Sequence, residues 1–160
     1  MKLVTHNDLI QVISKSSLFS GVPKREIVDI VGEPRRIYVP KGAFIFKEGD
    51  RANQLYLIED GKIALEMSGD IRHDIPNEGI LTTFTKNEFL CFQALIGRYK
   101  HSYSARALTT SICIEIDAEE LRDNIEDNPR VGMSIYKKAV ELLSMRFNIV
   151  ADTLGYRLAG

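Results

Sequence analysis

The chain has 160 residues, of which 44% are hydrophobic and 27% are charged, and its formal net charge is −1. These values are typical of a single globular domain and provide no basic field for nucleic acid. No apolar run reaches the length of a membrane span, and the N-terminus lacks the apolar core of a signal peptide, so we expect a cytoplasmic protein. Cys91 and Cys113 show neither metal-ligand spacing nor a disulfide framework.

Two short helices are predicted in residues 1–34, which we assign to an N-terminal helical segment. Asn7 and Asp8 are suited to cap the first helix, and apolar residues follow on one face. Pro23 is typical of the start of a second helix, and Gly32 of its end.

From residue 35 the pattern changes to short strands separated by turn residues. Asp60-Gly61 predicts a type I′ hairpin between the third and fourth strands, and we expect the last two strands to pair with each other. Regular short strands of this kind predict an α+β chain that is mainly β, with an eight-stranded antiparallel β-roll of the jelly-roll type over residues 35–117. The expected strands are 36–39, 43–46, 54–58, 62–66, 71–75, 80–85, 102–108 and 111–116.

Residues 118–160 are expected to form C-terminal helices. Asp117 caps a short helix over 118–125, and Asn128-Pro129 separates it from a long helix over 129–158. One apolar stripe, here called the outer stripe, follows steps of three and four residues; it comprises Met133, Tyr136, Val140, Leu143, Phe147, Val150 and Leu154. A second, the inner stripe, comprises Ile135, Ala139, Leu142 and Ile149.

The two stripes suggest two partners for the long helix. One wide apolar face buried within the domain would also explain them, but a chain this short has little material to cover both. We therefore expect the inner stripe to pack on the roll and the outer stripe to form a parallel homodimer. The expected dimer contacts are Tyr136, Val140, Leu143, Phe147, Val150 and Leu154.

The stretch 87–107 is expected to form a short buried helix between two strands, bracketed by Asn87 and Gly97. One interpretation is an apolar plug that closes one end of the roll. The other is an anion site, because the free N–H groups of a helix N-terminus would face a hydroxyl and a basic side chain. Apolar residues dominate the stretch, which favours the plug.

Residues 47–63, with Lys47-Glu48-Gly49-Asp50 followed by Gln54 to Ile63, resemble the signature of the cyclic nucleotide-binding domain family. That family includes the regulatory subunits of cAMP-dependent kinase, cyclic nucleotide-gated channels and the catabolite-activator transcription factors. The resemblance extends over about residues 18–117. It implies a β-roll, a regulatory role, and a long helix that acts as lever and dimerisation element.

The resemblance also implies a ligand site. The family's phosphate-binding cassette reads approximately Gly-Glu-x-Ala-Leu, with an Arg and a small residue beginning ten residues after the Gly. When the chain is aligned on Ala94-Leu95, Cys91 stands at the Gly place, Phe92 at the Glu place and His101 at the Arg place. The candidate ligand-binding residues are Cys91, Phe92, Gln93, Ala94, Leu95, His101, Ser102 and Tyr103.

These replacements remove the charged contacts of the cassette. Phe92 cannot accept a ribose hydroxyl, and His101 offers one donor and a full charge only below about pH 6.5. Losing two charged hydrogen bonds lowers affinity by about a hundredfold or more. We therefore expect weak or no binding of cAMP and cGMP, and a regulatory domain whose ligand is another, more apolar small molecule.

Two alternatives stay open. The first is a ligand-free dimerising scaffold in which Phe92 fills the vacated pocket. The second is a haem-based gas sensor with His6, His73 or His101 as an axial ligand.

We expect no catalytic residues, resident cofactor or metal, because no Ser/His/Asp order, P-loop or metal-ligand cluster is visible. We also expect no direct DNA binding by these residues. The catabolite-activator type adds a helix-turn-helix after its long helix, so the output is expected to be carried either by a protein partner or by a longer protein of which these residues are part.

Overall fold

The computed structural model describes residues 4–69, 79–97 and 99–155. These residues form an α+β fold in which a β-roll is flanked by helices, and this confirms the expected fold class. The helices are α1 (His6–Ser14), α2 (Lys24–Val31), α3 (Ala118–Asp127) and α4 (Pro129–Thr153). The strands are β1 (Arg35–Val39), β2 (Phe44–Phe46), β3 (Gln54–Asp60), β4 (Ile63–Glu66), β5 (Ile80–Phe84), β6 (Phe89–Leu90), β7 (Ser104–Ala107) and β8 (Ser111–Asp117).

The eight strands form two four-stranded sheets that face each other. Their orders are β1-β8-β3-β6 and β2-β7-β4-β5, and the pairings are antiparallel. Apolar side chains from both sheets meet in a shared interior, the roll core, which includes Val39, Phe46, Tyr56, Ile58, Ile63, Leu65, Phe84, Leu90, Cys91, Ala94, Ala105, Ala107 and Cys113.

A second apolar cluster, the helix-side core, lies on the other face of the first sheet. It joins side chains of all four helices to alternate residues of β3, β6 and β8. The central strand β3 is therefore buried on both faces, which explains its nearly continuous apolar run. The members of the helix-side core include Leu9, Ile13, Phe19, Ile27, Ile30, Leu55, Leu57, Phe89, Phe92, Leu95, Ile114, Leu121, Val131 and Ile135.

Two strand pairings expected from the sequence are wrong. No ladder joins β3 to β4, and none joins β7 to β8, because each pair is divided between the two sheets. Asp60-Gly61 does mark a sharp reversal, with Gly61 at φ +99°. The reversal carries the chain from one sheet to the other, and a local turn signal cannot distinguish that from a hairpin.

Gly61 has a positive φ and also lies close against Ser111, so we expect Gly61→Ala to destabilise the fold. A Cβ built on Gly61 would lie 2.6 Å from Ser111 Cβ and 2.8 Å from Ser111 Cα. The strained φ and the overlap together should cost about 2–5 kcal/mol in urea unfolding. Gly49→Ala is the matched control, since Gly49 has φ +88° and open space around the new Cβ. Equal losses in both variants would show that the Ser111 contact is irrelevant.

The helix ends agree with the sequence in most places. Pro23 and Gly32 flank α2, the Asp117 carboxylate accepts the Glu120 N–H at 2.9 Å, and Asn128 precedes α4. The predicted cap of the first helix is wrong, because Thr5 rather than Asn7 or Asp8 caps α1.

The Thr5 cap follows from a reciprocal capping box with Asp8, a pattern that satisfies two N–H groups at once. The expected strand 71–75 and the last residues of the expected long helix, 156–158, lie outside the described residues.

The two stripes of α4 have different environments. In the inner stripe Ile135 and Ala139 are buried and Leu142 is partly buried, whereas Ile149 is 47% exposed. In the outer stripe Met133, Val140 and Phe147 are 71%, 63% and 60% exposed. Among the described residues, no helix has the length and apolar character that crossing a membrane requires.

Candidate functional site

The candidate cassette begins where β6 ends. Leu90 is followed by Cys91, whose backbone adopts the left-handed conformation (φ 75°, ψ 41°), and then by a 3-10 helix, Phe92–Leu95. This conformation is easy for glycine and unfavourable by about 1–2 kcal/mol for other residues. The chain thus keeps a glycine-type turn with a cysteine in it. Phe89 and Leu90, expected in a helix, form a strand instead.

His101 is buried in the roll beside this turn. Its side chain is 3% exposed, and its ring stacks on Phe46 with the centroids 3.6 Å apart and the planes within 8°. Its two ring nitrogens lie 3.8 and 3.9 Å from Cys91 Sγ. Gln93 Nε2 is 3.5 Å from His101 Nδ1, and the Tyr103 hydroxyl donates to Gln93 Oε1 at 3.4 Å. Two of the other expected site residues, Cys91 and Gln93, therefore lie beside the imidazole, and Tyr103 is connected to it through Gln93.

The buried groups of this cluster favour their neutral forms. Burial lowers the pKa of His101, although the nearby Asp50 carboxylate opposes the shift. Burial also raises the pKa of the Cys91 thiol to about 12. At neutral pH His101, which the resemblance aligns with the family's arginine, therefore favours its uncharged form, and it gains a full charge only below the ordinary histidine range near pH 6.5.

The scaffold hypothesis expected the Phe92 ring to fill the interior of the roll, but the ring does not lie there. It belongs to the helix-side core, where its ring centroid is 6.5 Å from that of Phe89. The 3-10 helix divides its side chains between the two cores, since Cys91 and Ala94 face the roll core and Phe92 and Leu95 the helix-side core. The space near the cassette is instead occupied by the stacked rings of His101 and Phe46. Ser102 is exposed to solvent.

Both C-terminal helices hold the cassette. The Arg122 guanidinium of α3 donates to the carbonyl oxygen of Ala94, and the Tyr136 hydroxyl of α4 donates to that of Leu95 at 3.2 Å. Further along α4, Arg146 donates to Thr82 Oγ1 and to the Thr83 carbonyl, both at 2.9 Å. No sequence pattern indicates these bonds, because three of the four acceptors are backbone carbonyls, which any segment could supply.

A small cavity of about 150 Å³ lies between the cassette and α4. Its walls are mainly apolar and include Leu65, Phe84, Phe89, Phe92, Leu142 and Ile149. Pockets for drug-sized ligands have about 300–1,000 Å³, whereas an apolar cavity of about 150 Å³ accepts a molecule such as benzene. As it stands, this cavity is too small for a nucleotide.

The candidate haem ligands are not brought into one site by the described residues. His6 Nδ1 lies 3.5 Å from Glu33 Oε2 on the helical side, and His101 is inside the roll. His73 lies outside the described residues. Within residues 4–69, 79–97 and 99–155, no three side chains of His, Cys, Asp or Glu are grouped so that they could hold a metal ion.

The described residues form a β-roll closed by a short helix and followed by a long α-helix. Residues 36–128, more than half of the chain, match the family model described as the cyclic nucleotide-binding domain. The chain therefore belongs to the cyclic nucleotide-binding domain family, as its resemblance indicated.

Among curated proteins, the chain is similar to the CRP-like cAMP-activated global transcriptional regulator of Mycobacterium tuberculosis. The two are 22% identical over 144 residues, which cover 90% of this chain and 62% of the regulator. The chain thus spans 62% of the length of that relative.

Among solved structures, a cyclic nucleotide-binding domain from Methylobacillus flagellatus is similar with a TM-score of 0.72 and 20% identity, covering 96% of this chain and 85% of that one. The sensor domain of the transcriptional regulator DNR from Pseudomonas aeruginosa has a TM-score of 0.67 and 16% identity, with 89% and 93% covered. Identities this low show a shared fold.

Proposed function

We propose that the chain is a non-enzymatic regulatory sensor domain that does not use cAMP or cGMP as its ordinary ligand. The observation that carries this proposal is the state of His101, which stands at the family's arginine position. Its ring is buried, uncharged at neutral pH and stacked on Phe46. A guanidinium at that position would bind a phosphate through two parallel charged hydrogen bonds, which an imidazole cannot reproduce.

Two further observations support the proposal. Phe92, at the place of the acid that would accept a ribose hydroxyl, packs in the helix-side core. The cavity beside the cassette has about 150 Å³ and apolar walls. Together they favour a smaller and less polar ligand than a nucleotide.

Isothermal titration calorimetry with cAMP and cGMP tests the proposal directly. We expect dissociation constants above about 100 μM, because two charged contacts are missing. Residual binding should strengthen as pH falls, but only below the ordinary histidine range, because burial lowers the pKa of His101. A low-micromolar cAMP affinity that His101→Ala leaves unchanged would contradict the proposal, since the cassette would then bind by other groups.

We also propose that the outer stripe of α4 forms a parallel homodimer and that a protein partner reads the output. The support is the exposure of Met133, Val140, Leu143 and Phe147 along one side of a 25-residue helix. Contiguous apolar surface of this kind marks an interaction site. The corresponding experiment is described in the Discussion.

The strongest alternative is a ligand-free dimerising scaffold, which the stacking of His101 on Phe46 favours, because the roll is already filled there. Native mass spectrometry of the purified protein distinguishes the two, since a retained small molecule of defined mass supports a sensor. Visible absorption in the same preparation would instead support the haem alternative.

A further inference from the structure

A second cavity, here called the outer cavity, lies outside the roll and has no part in the function proposed above. It forms where the segment before β3, the residues after the 3-10 helix and the start of α3 meet, and its volume is about 630 Å³. That volume is in the range of small-molecule pockets. Its walls are polar and carry three basic side chains, Arg51, Lys100 and Arg122.

Arg51 and Lys100 are placed side by side by the backbone. They are partners in an isolated antiparallel β-bridge, a geometry that brings Cβ atoms to about 4.5–5.5 Å. Both side chains are exposed, and neither makes an ion pair or side-chain hydrogen bond with another described residue. Like charges directly opposite each other are destabilising, so an anion bound between them would stabilise this pair.

The other charged groups of the cavity do not neutralise this pair. The Asp117 carboxylate accepts the Glu120 N–H at 2.9 Å as the cap of α3. The Arg122 guanidinium donates to the carbonyl of Ala94. Glu119 also lines the cavity but forms no ion pair with either cation within the described residues. The described walls of the cavity therefore carry three positive charges, two of them on the unpaired Arg51 and Lys100, against two negative charges.

We infer that the outer cavity binds a small molecule that carries a phosphate monoester, held between Arg51 and Lys100. A phosphate dianion has enough charge and enough oxygens to accept hydrogen bonds from two neighbouring cations, whereas one carboxylate would leave part of the charge unpaired. Tyr99, which is 52% exposed beside Lys100, offers an aromatic surface to the rest of the ligand.

The test is a titration of the whole chain with glycerol 2-phosphate at fixed pH and ionic strength, followed by phosphorus NMR. We expect saturable binding that weakens by about tenfold or more in the double variant Arg51→Gln/Lys100→Gln. Arg25→Gln/Lys41→Gln is the matched control, because it removes the same two residue types and the same charge from exposed positions elsewhere. The control should bind like the unmodified protein.

Several outcomes would overturn the inference. They are absence of saturable binding, equal weakening in the control, equal affinity for succinate, or tighter binding of a phosphoserine peptide than of glycerol 2-phosphate. His101→Ala should leave phosphate binding unchanged, so the result is independent of the cAMP titration.

Discussion

Replacing Leu143 and Phe147 by glutamate is expected to convert a dimer of this chain into monomers. Both residues are at heptad positions of the outer stripe and are 45% and 60% exposed in the single chain. In a parallel helix pair each carboxylate would enter a dry interface, and burial of an unpaired charge costs more than such an interface supplies. Sedimentation velocity at tens of micromolar measures the change.

The design includes a control on the same helix. Met145 is apolar and 62% exposed but lies outside the outer stripe, so Met145→Glu should leave the dimer intact. Monomers of the unmodified protein at tens of micromolar would contradict the dimer proposal.

Replacing Phe92 by glutamate is expected to destabilise the domain by at least about 3–5 kcal/mol, the usual cost of truncating a buried aromatic ring. The side chain is 8% exposed and lies among apolar groups of the helix-side core, so the new carboxylate would also lack a partner. Total stabilities are about 5–15 kcal/mol, so this is a large fraction. Urea unfolding followed by circular dichroism measures the loss.

Ile96→Glu is the matched control, because Ile96 follows the same 3-10 helix and is 70% exposed. That variant should differ from the unmodified protein by no more than about 0.5 kcal/mol. If Phe92→Glu were equally harmless, the ring would have to face the solvent, and its assignment to the helix-side core would be wrong.

The location of Phe92 also changes how nucleotide binding could be restored. The double change Phe92→Glu and His101→Arg would place a carboxylate in the helix-side core. His101→Arg alone is the better starting variant, since His101 faces the roll.

The fold was largely predictable because strand spacing, turn glycines and helix caps are local signals. The failures have physical causes. Asp60-Gly61 indicates a reversal, but the choice between a hairpin and a crossing of sheets depends on long-range packing of β3 and β4 in different sheets. β6 has two residues, too few to produce a detectable alternation.

The membership of the candidate site stays a prediction, and its geometry could not be predicted from the sequence. Cys91 and His101, which the alignment on Ala94 assigns to one cassette, lie close together in the structure. No sequence pattern connects Phe46 with His101, because stacking between two distant rings leaves no characteristic spacing in the sequence. The direction of Phe92 was also hidden, because a single 3-10 turn separates residues that face opposite cores.

Tyr136 connects two parts of the molecule that are otherwise separate. Its ring is in the outer stripe, and its hydroxyl holds the carbonyl of Leu95 at the end of the cassette. If the outer stripe forms the proposed dimer, a movement of the cassette that breaks this bond would change a side chain of the dimer surface, and assembly through that surface would limit the movement. By thermodynamic linkage, any change in dimer affinity caused by a cassette ligand equals the change in ligand affinity caused by dimerisation. The concentration of the protein would then be an input to the sensor in its own right.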